Sequence, residues 1–185
     1  TPAKNPLPPT IWRYNDEVQD YPYDPEKAKQ LLAEAGYPNG FETDFWIQPV
    51  VRASNPNPKR MAELIMADWA KVGVKTNPVT YEWADYQKRA KAGELTAGIF
   101  GWSGDNGDPD NFLSPLLASS NAGNSNMARF KNPEFDALLD KAIGLTNKEE
   151  RTALYKQAQV IVHNQAPWIP VAHSVGFAPL SPRVK

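Results

Sequence analysis

The sequence predicts an α/β fold with a mostly parallel sheet flanked by helices. Residues 41–101 follow the order strand, helix, strand, helix, strand when their apolar residues are matched to periods of 2 and 3.6. The helices in this stretch also carry start and stop signals, since Asn57-Pro58 opens the first and Gly73 and Gly93 follow the two ends. Strands that alternate with helices of this length are typical of parallel βαβ units.

The first elements are marked by local signals. Asp24-Pro25 places a capping residue before a proline at the first helical position, and Gly36 is suited to end this helix in a left-handed conformation. Residues 41–47 then predict a strand, with Phe41, Thr43, Phe45 and Ile47 on one face.

The next elements complete the alternation. Residues 58–72 predict a helix, and residues 74–80 a short strand that Pro78 assigns to a sheet edge or a bulge. Residues 83–92 predict a helix that Gly93 ends, and residues 96–101 predict a third, apolar strand.

The second half of the chain is more helical. Asp108-Pro109 predicts a helix start with Asp108 as the cap, and Asn132-Pro133 predicts another. Asn147 with Glu150 is a variant of the capping box and predicts a third. Residues 169–172 predict a last strand.

Composition excludes several classes of function. The chain has 185 residues, which fits one domain or one lobe of a larger protein. Its net charge of −1 argues against a nucleic-acid partner. The absence of Cys excludes a disulfide scaffold, a thiolate metal site and a Cys nucleophile. No apolar run approaches the roughly 18–20 residues of a membrane-spanning helix.

The segment GWSGDNGDPDNF at 101–112 holds the most conspicuous polar residues. It follows a predicted strand, and ligands of open α/β sheets collect beyond the carboxyl ends of strands. Asp108 and Asp110 fit a structural turn as well as a functional site. Asp105 favours function, because it follows Trp102 by three residues at the end of the strand.

Arg52 and Trp83 follow the first and second predicted strands. Alone, a loop arginine is usually solvated and a tryptophan usually packs in a core. In a parallel sheet, however, Arg52, Trp83, Trp102 and Asp105 all belong to one edge. A cation, an anion and two flat rings at one edge suit a small zwitterion.

Signals of catalysis and metal binding are weak. A calcium loop that starts at Asp105 fails, because Gly107 and Pro109 stand where oxygen ligands are needed. His163 and His173 are ten residues apart without metal spacing, and structural roles are expected for both. No nucleophile elbow, phosphate loop or dinucleotide fingerprint occurs. We therefore expect no enzyme, no metal and no cofactor. A glycosidase-like hydrolase that uses Asp105 and a plain interaction lobe without a ligand are the alternatives of other classes.

Five motifs give the chain a family resemblance: YDPEKAKQLLAEAGY at 23–37, NPNPKRMAELIMADWAKVGV at 55–74, VTYEW at 79–83, GWSGDNGDPDNF at 101–112 and LYKQAQVIVHNQAPWIPVAHS at 154–174. With these, the chain resembles the C-terminal lobe of the periplasmic dipeptide-binding proteins of ABC transporters. They belong to the peptide/nickel class, family 5, of extracytoplasmic solute-binding proteins. The run GDNGDPDNF resembles mainly the dipeptide branch and the nearby haem- and glutathione-binding branches.

The resemblance implies a division of the chain. Residues 1–22 would be an extended strap that links to a missing N-terminal lobe, residues 23–174 the ligand-binding lobe, and residues 175–185 an extended C-terminal segment. Both ends of the chain look cut, as in an excised piece. The implied partners are a dipeptide, the missing lobe and a membrane permease, the implied location is the periplasm, and no nucleic acid is involved.

The resemblance also assigns roles to the four candidates. The family's ammonium-binding Asp falls on Asp105, its carboxylate-binding Arg on Arg52, and its ligand-packing aromatic residues on Trp83 and Trp102. Haem, glutathione or longer oligopeptides remain alternative ligands of the same fold. The chain departs from the family in having no Cys near Ser119 and Lys131, where dipeptide-binding members often carry a pair.

Overall fold

The computed structural model describes residues 1–177, 179–181 and 183. Positions 178, 182, 184 and 185, which belong to the expected C-terminal segment 175–185, lie outside the described residues. The described part contains three strands, β1 (Phe41–Trp46), β2 (Val74–Val79) and β3 (Ala97–Gly98). Its α-helices are α1 (Pro25–Glu34), α2 (Pro58–Lys71), α3 (Trp83–Ala92), α4 (Asp110–Leu117), α5 (Pro133–Ile143) and α6 (Lys148–Gln165).

The three strands form one parallel sheet in the order β2-β1-β3. In the register of β1 and β2, Phe41 pairs with Val74 and Trp46 with Val79. The α/β class and the parallel strands are therefore confirmed. Pro78 lies in β2, which is an edge strand as its proline indicates.

Helices cover both faces of the sheet. Phe45 and Trp46 are neighbours in β1, so their side chains point to opposite faces, and each is only 2% exposed. Phe45 packs with Ala62 of α2, whereas Trp46 packs with Tyr86 of α3. The central strand is therefore buried on both sides, which fixes the two helices against the sheet.

The predicted helix starts are confirmed at four caps, in which a side-chain oxygen accepts a backbone N–H of the first turn. The distances are 2.9–3.1 Å, and the capping residues are Asp24, Asn57, Asn132 and Asn147. The predicted glycine stops are confirmed as well, since Gly36, Gly73 and Gly93 have φ values near +90°.

Residues 1–22 pack against the C-terminal helices although they contain no helix or extended strand. Leu7 is fully buried in the core formed by α4, α5 and α6. The backbone N–H of Asn15 donates to Oε1 of Gln159 at 2.9 Å, and Nε2 of Gln159 donates to the carbonyl of Arg13 at 2.8 Å. These contacts attach the strap to α6. The division at residues 22 and 174 stays a prediction.

Two predicted strands need correction. β3 spans Ala97–Gly98 instead of 96–101. The N–H of Ile99 still donates to the carbonyl of Trp46 in β1 at 3.3 Å, but the carbonyl of Ile99 accepts from the Tyr86 hydroxyl instead of a strand. Residues 169–172 form no strand, since only Ala172 makes a bridge, with Pro2. The apolar residues of this segment are not buried as in a core strand, since Ile169 is 69% exposed.

The start of α4 also differs from its prediction. The helix begins at Asp110 rather than directly after Asp108, and Asp108 is not its cap. Instead, Oδ1 of Asp108 accepts the N–H of Asp110 at 3.0 Å and forms a turn before the helix. Separately, none of the helices in the described residues combines the length and apolarity needed to cross a membrane.

Candidate ligand-binding site

The candidate site lies at the carboxyl edge of the parallel sheet. The chain leaves β1 into the loop that carries Arg52, leaves β2 shortly before Trp83, and leaves β3 toward Trp102 and Asp105. The three strands run in the same direction, so the segments that follow them, the exits, all begin at the carboxyl ends of the strands. This side of the sheet is its carboxyl edge. The structure thus places the four predicted residues at one edge of the sheet, as the alternation of strands and helices predicts.

Arg52 is held by its own loop and by an aromatic ring. Its backbone exchanges two hydrogen bonds with Asn55, of 3.1 and 2.9 Å, which close a tight turn. Its guanidinium carbon Cζ lies 5.2 Å from the centroid of the Trp83 ring. A cation at this distance from an aromatic face is attracted by the ring quadrupole. The arrangement orders an exposed cation that is available to an anionic group.

Trp83 rests on Tyr86, one turn further along α3. The two rings are nearly parallel, with centroids 5.7 Å apart. Tyr86 is fully buried, and its hydroxyl donates to the carbonyl of Ile99 at 3.0 Å and lies 3.3 Å from that of Trp46. Burial raises the pKa of Tyr86, so the hydroxyl stays a neutral donor. Tyr86 thereby connects the ends of β1 and β3 beneath the site.

Trp102 and Asp105 are both attached to Asn111 in the first turn of α4. Nε1 of Trp102 donates to the carbonyl of Asn111 at 2.8 Å, and the backbone N–H of Asp105 donates to Oδ1 of Asn111 at 2.9 Å. The Trp102 side chain is partly open to solvent and Asp105 is exposed. Among the described residues, neither Asp105 nor Arg52 takes part in an ion pair.

Two glycines allow the loops of the site to pack closely. A Cβ at Gly101 would overlap the side chain of Ser54, so the loop that carries Arg52 touches the segment that carries Trp102. A Cβ at Gly104 would overlap the ring of Phe112, which is buried in the core of the helical half. The loop around Asp105 is therefore seated against α4.

A cavity of about 140 Å³ lies beside Trp102. The loop after β1, the strap and the segment that follows α6 line it, with Asn5, Ser54, Asn55, Met61, Trp168 and His173 among its residues. Its volume is below the roughly 300–1,000 Å³ of pockets that enclose drug-sized ligands. A second cavity of about 410 Å³ adjoins it and shares Ser54, Met61 and His173.

The remaining acids of the loop have structural partners. The carboxylate of Asp108 pairs with both terminal nitrogens of Arg151 at 3.2 and 3.3 Å. Asp110 accepts a hydrogen bond from the hydroxyl of Ser114. These partners favour the structural alternative for both residues. Arg151 and Asn111 were not among the predicted site residues.

His163 packs against the strap, whereas His173 lines the cavity beside Trp102. His163 stacks on Tyr21 with ring centroids 4.4 Å apart, and the backbone of His173 donates to Thr1. Within the described residues, no group of three or more His, Cys, Asp or Glu side chains is arranged to hold a metal ion.

Comparisons with known proteins agree on one family. Residues 1–124 match the family described as bacterial extracellular solute-binding proteins, family 5 middle. The chain is 92% identical over 185 residues to heme-binding protein A of Haemophilus influenzae, and it covers 34% of that protein. It is 54% identical over 185 residues to the dipeptide-binding protein of Escherichia coli, covering 99% of this chain and 34% of that protein.

A solved structure gives the same result. The dipeptide-binding protein of Pseudoalteromonas sp. SM9913, in complex with Met-Leu, superimposes with a TM-score of 0.87 at 43% identity. The match covers 94% of this chain and 34% of that protein. The chain thus spans about a third of the length of the proteins that it resembles.

Proposed function

Because the chain belongs to the family 5 bacterial extracellular solute-binding proteins, we propose that it is one lobe of a periplasmic binding protein that captures dipeptides. In this proposal the free ammonium of the peptide binds Asp105, the free carboxylate binds Arg52, and Trp83 and Trp102 pack against the peptide. The complete protein delivers its ligand to an ABC transporter permease. The family consists of solute-binding proteins and not of enzymes, so a hydrolase that uses Asp105 has no support.

The observation that carries the proposal is the pair of opposite charges at one edge. Arg52 lies over Trp83, Asp105 follows Trp102 on the neighbouring exit, and the two charges do not pair with each other. Every dipeptide has one terminal ammonium and one terminal carboxylate whatever its side chains are. Two fixed opposite charges therefore select the length of a peptide and tolerate its sequence.

The chain length of a dipeptide sets the expected spacing. An extended chain reaches about 3.3–3.6 Å per residue, so the two termini lie about 7 Å apart. With a charge-assisted contact of about 2.8 Å at each end, the head groups of Arg52 and Asp105 should be about 10–13 Å apart in the bound state. A direct ion pair between them in a complex would contradict the proposal.

The energy of binding requires a second lobe. Each charge-assisted contact contributes about 1.5–3 kcal/mol net. A micromolar site needs about 8 kcal/mol in total, so the two contacts are insufficient. Aromatic packing and hydrogen bonds from the rest of the protein must supply the difference. The isolated lobe is therefore expected to bind weakly, and the complete protein is expected to close around its ligand.

A haem ligand is the second candidate, because heme-binding protein A of H. influenzae is 92% identical to this chain. Haem iron usually takes His, Met, Cys or Tyr as an axial ligand. None of the four site residues is of these types, although Met61 and His173 line the neighbouring cavity. A second cavity of about 410 Å³ adjoins that one and is also lined by Met61 and His173, so cavity size does not decide between the two ligands. The opposite charges of Arg52 and Asp105 are the feature that favours a dipeptide over haem.

Calorimetry on the full-length protein tests the proposal. A free dipeptide, its N-acetyl form, a tripeptide, glutathione and haem serve as ligands. Removing the ammonium leaves Asp105 without its partner, and the affinity should fall roughly tenfold to a thousandfold. Equal binding of the free and the acetylated dipeptide would contradict the role of Asp105. Tighter binding of haem, glutathione or the tripeptide would assign the protein to one of those ligands instead.

Matched variants identify the two residues. Arg52→Gln should weaken every ligand with a free carboxylate, whereas Lys75→Gln removes a cation at the opposite edge of the sheet and should have no effect. Asp105→Asn should weaken the free dipeptide more than its N-acetyl form. Asp140→Asn, on an exposed position of α5, is the control for this change.

A further inference from the structure

We propose that Asn111 is a positioning residue that sets the carboxylate of Asp105 for ammonium binding. This inference rests on the proposed function, because it concerns how the same site is held. Asn111 does not contact the ligand in this proposal and acts through Asp105. The comparisons and the sequence motifs do not assign it a role.

Asn111 forms hydrogen bonds to three parts of the loop through three different groups. Its backbone N–H donates to the carbonyl of Asp108 at 3.1 Å. Its backbone carbonyl accepts from Nε1 of Trp102 at 2.8 Å. Its side-chain Oδ1 accepts from the N–H of Asp105 at 2.9 Å. The two proposed ligand-contacting residues of this loop are therefore both attached to one residue, which lies in the first turn of α4.

Gly104 seats the loop on Phe112, and Asp108 ties it to Arg151. Among the described residues, however, the bond to Asn111 is the hydrogen bond that Asp105 itself makes. Its carboxylate is exposed and has no ion pair among the described residues, and Gly104 and Gly107 flank it at distances of one and two residues. Ordering a mobile segment on binding costs affinity, and a segment ordered in advance avoids that cost. The bond from the Asp105 N–H to Asn111 fixes the backbone from which the carboxylate projects. This bond should therefore contribute to affinity only for ligands that use the carboxylate.

Asn111 binds Trp102 through its backbone and Asp105 through its side chain, so a substitution can remove one bond and keep the other. Asn111→Ala removes the acceptor of the Asp105 N–H but keeps the carbonyl that accepts from Trp102. The substitution should loosen Asp105 and leave the Trp102 ring in place. Asn111→Asp keeps a side-chain oxygen in the same position, so it should restore the bond.

The experiment compares a free dipeptide with its N-acetyl form in the full-length protein. Loss of one hydrogen bond, worth about 1 kcal/mol net, should reduce the ratio of the two affinities about threefold to tenfold in Asn111→Ala. The N-acetyl dipeptide should bind the variant as it binds the unmodified protein. Asn111→Asp should keep a ratio at least as large as that of the unmodified protein.

The outcomes separate this inference from the proposed function. If the unmodified protein binds both peptides equally, the proposed function fails. If the unmodified protein discriminates and Asn111→Ala discriminates equally well, or loses affinity for both peptides to the same extent, the inference about Asn111 is wrong. A reduced ratio in Asn111→Asp as well would also contradict it. Asn39→Ala, an exposed position before β1 at the opposite edge of the sheet, is the control and should leave the ratio unchanged.

Discussion

The hydroxyl of Tyr86 donates a hydrogen bond of 3.0 Å to the backbone carbonyl of Ile99. It connects helix α3, which carries Trp83, to the segment that leaves β3 toward Trp102. The same hydroxyl lies 3.3 Å from the carbonyl of Trp46 at the end of β1. One buried side chain therefore joins the three exits that form the candidate site.

Tyr86→Phe tests this connection. The change keeps the ring and leaves the buried carbonyl of Ile99 without its donor, whereas the carbonyl of Trp46 still accepts from the Ile99 N–H. The loss should cost about 1–3 kcal/mol in the free energy of unfolding. Urea denaturation of the full-length protein measures the loss. Tyr37→Phe is the control, because Tyr37 is half-exposed and should change stability little. An equal loss in both variants would contradict the role of the Tyr86 hydroxyl.

The raised pKa of Tyr86 predicts a loss of stability in alkali. In the unfolded chain the phenol ionises near its ordinary pKa of 10.0, whereas in the folded protein burial raises the pKa and the group stays neutral. The folded state therefore keeps its proton where the unfolded state loses one, and the free energy of unfolding should fall as the pH rises above about 10. Urea midpoints measured between pH 8 and 11 should decline less in Tyr86→Phe. An unchanged decline would show that Tyr86 is not responsible.

The pair of Asp108 and Arg151 should stabilise the loop that carries Asp105. Both side chains are only partly exposed, and Arg151 also donates to the Tyr155 hydroxyl at 2.9 Å. Arg151→Gln should lower the free energy of unfolding by about 1–3 kcal/mol, because it leaves the carboxylate without its cation. A double-mutant cycle with Asp108→Asn should give a coupling energy of about 0.5–3 kcal/mol. Additive effects of the two substitutions would contradict the pairing.

Gly104→Ala should disturb the seating of the same loop. The added Cβ would overlap the Phe112 ring, which is buried and has little freedom to move. Such overpacking typically costs about 1–3 kcal/mol, and a lowered midpoint of thermal unfolding would report it. Gly144→Ala is the control, since Gly144 has an ordinary φ of −75° and a methyl group added there would meet nothing closer than a backbone carbonyl at 3.8 Å. Equal midpoints for the two variants would contradict the packing of Gly104 on Phe112.

The fold was predictable where the signals are local. Asp24, Asn57, Asn132 and Asn147 cap helices because the oxygen and the N–H that it accepts are three residues apart, so the sequence contains both partners. The order of strands and helices along the chain likewise predicts a parallel sheet, in which the loops that follow the strands lie close together. This reasoning placed Arg52, Trp83, Trp102 and Asp105 at one edge.

Features that depend on distant partners were not predictable. Asp108 meets Arg151, 43 residues away, and no pattern in the sequence links them. Residues 169–172 have the apolar character of a strand, but their pairing with residues 1–3 is limited to the bridge between Pro2 and Ala172 and the hydrogen bonds beside it, which is too short for a strand. The sequence contains only a weak signal for the role proposed for Asn111. The Asp, Asn and Gly residues at 104–111 predict a turn, but they do not indicate which backbone N–H group the Asn111 side chain accepts from.

The ion pair between Asp108 and Arg151 has a consequence for engineering ligand preference. A transplant of residues 101–112 into another scaffold would carry the acid of this pair and leave its base behind on α6. The recipient would gain a partly buried negative charge together with the new recognition loop. Transfer of ligand specificity between such scaffolds should therefore succeed when residue 151 is transferred together with residues 101–112. It should fail when residues 101–112 are transferred alone.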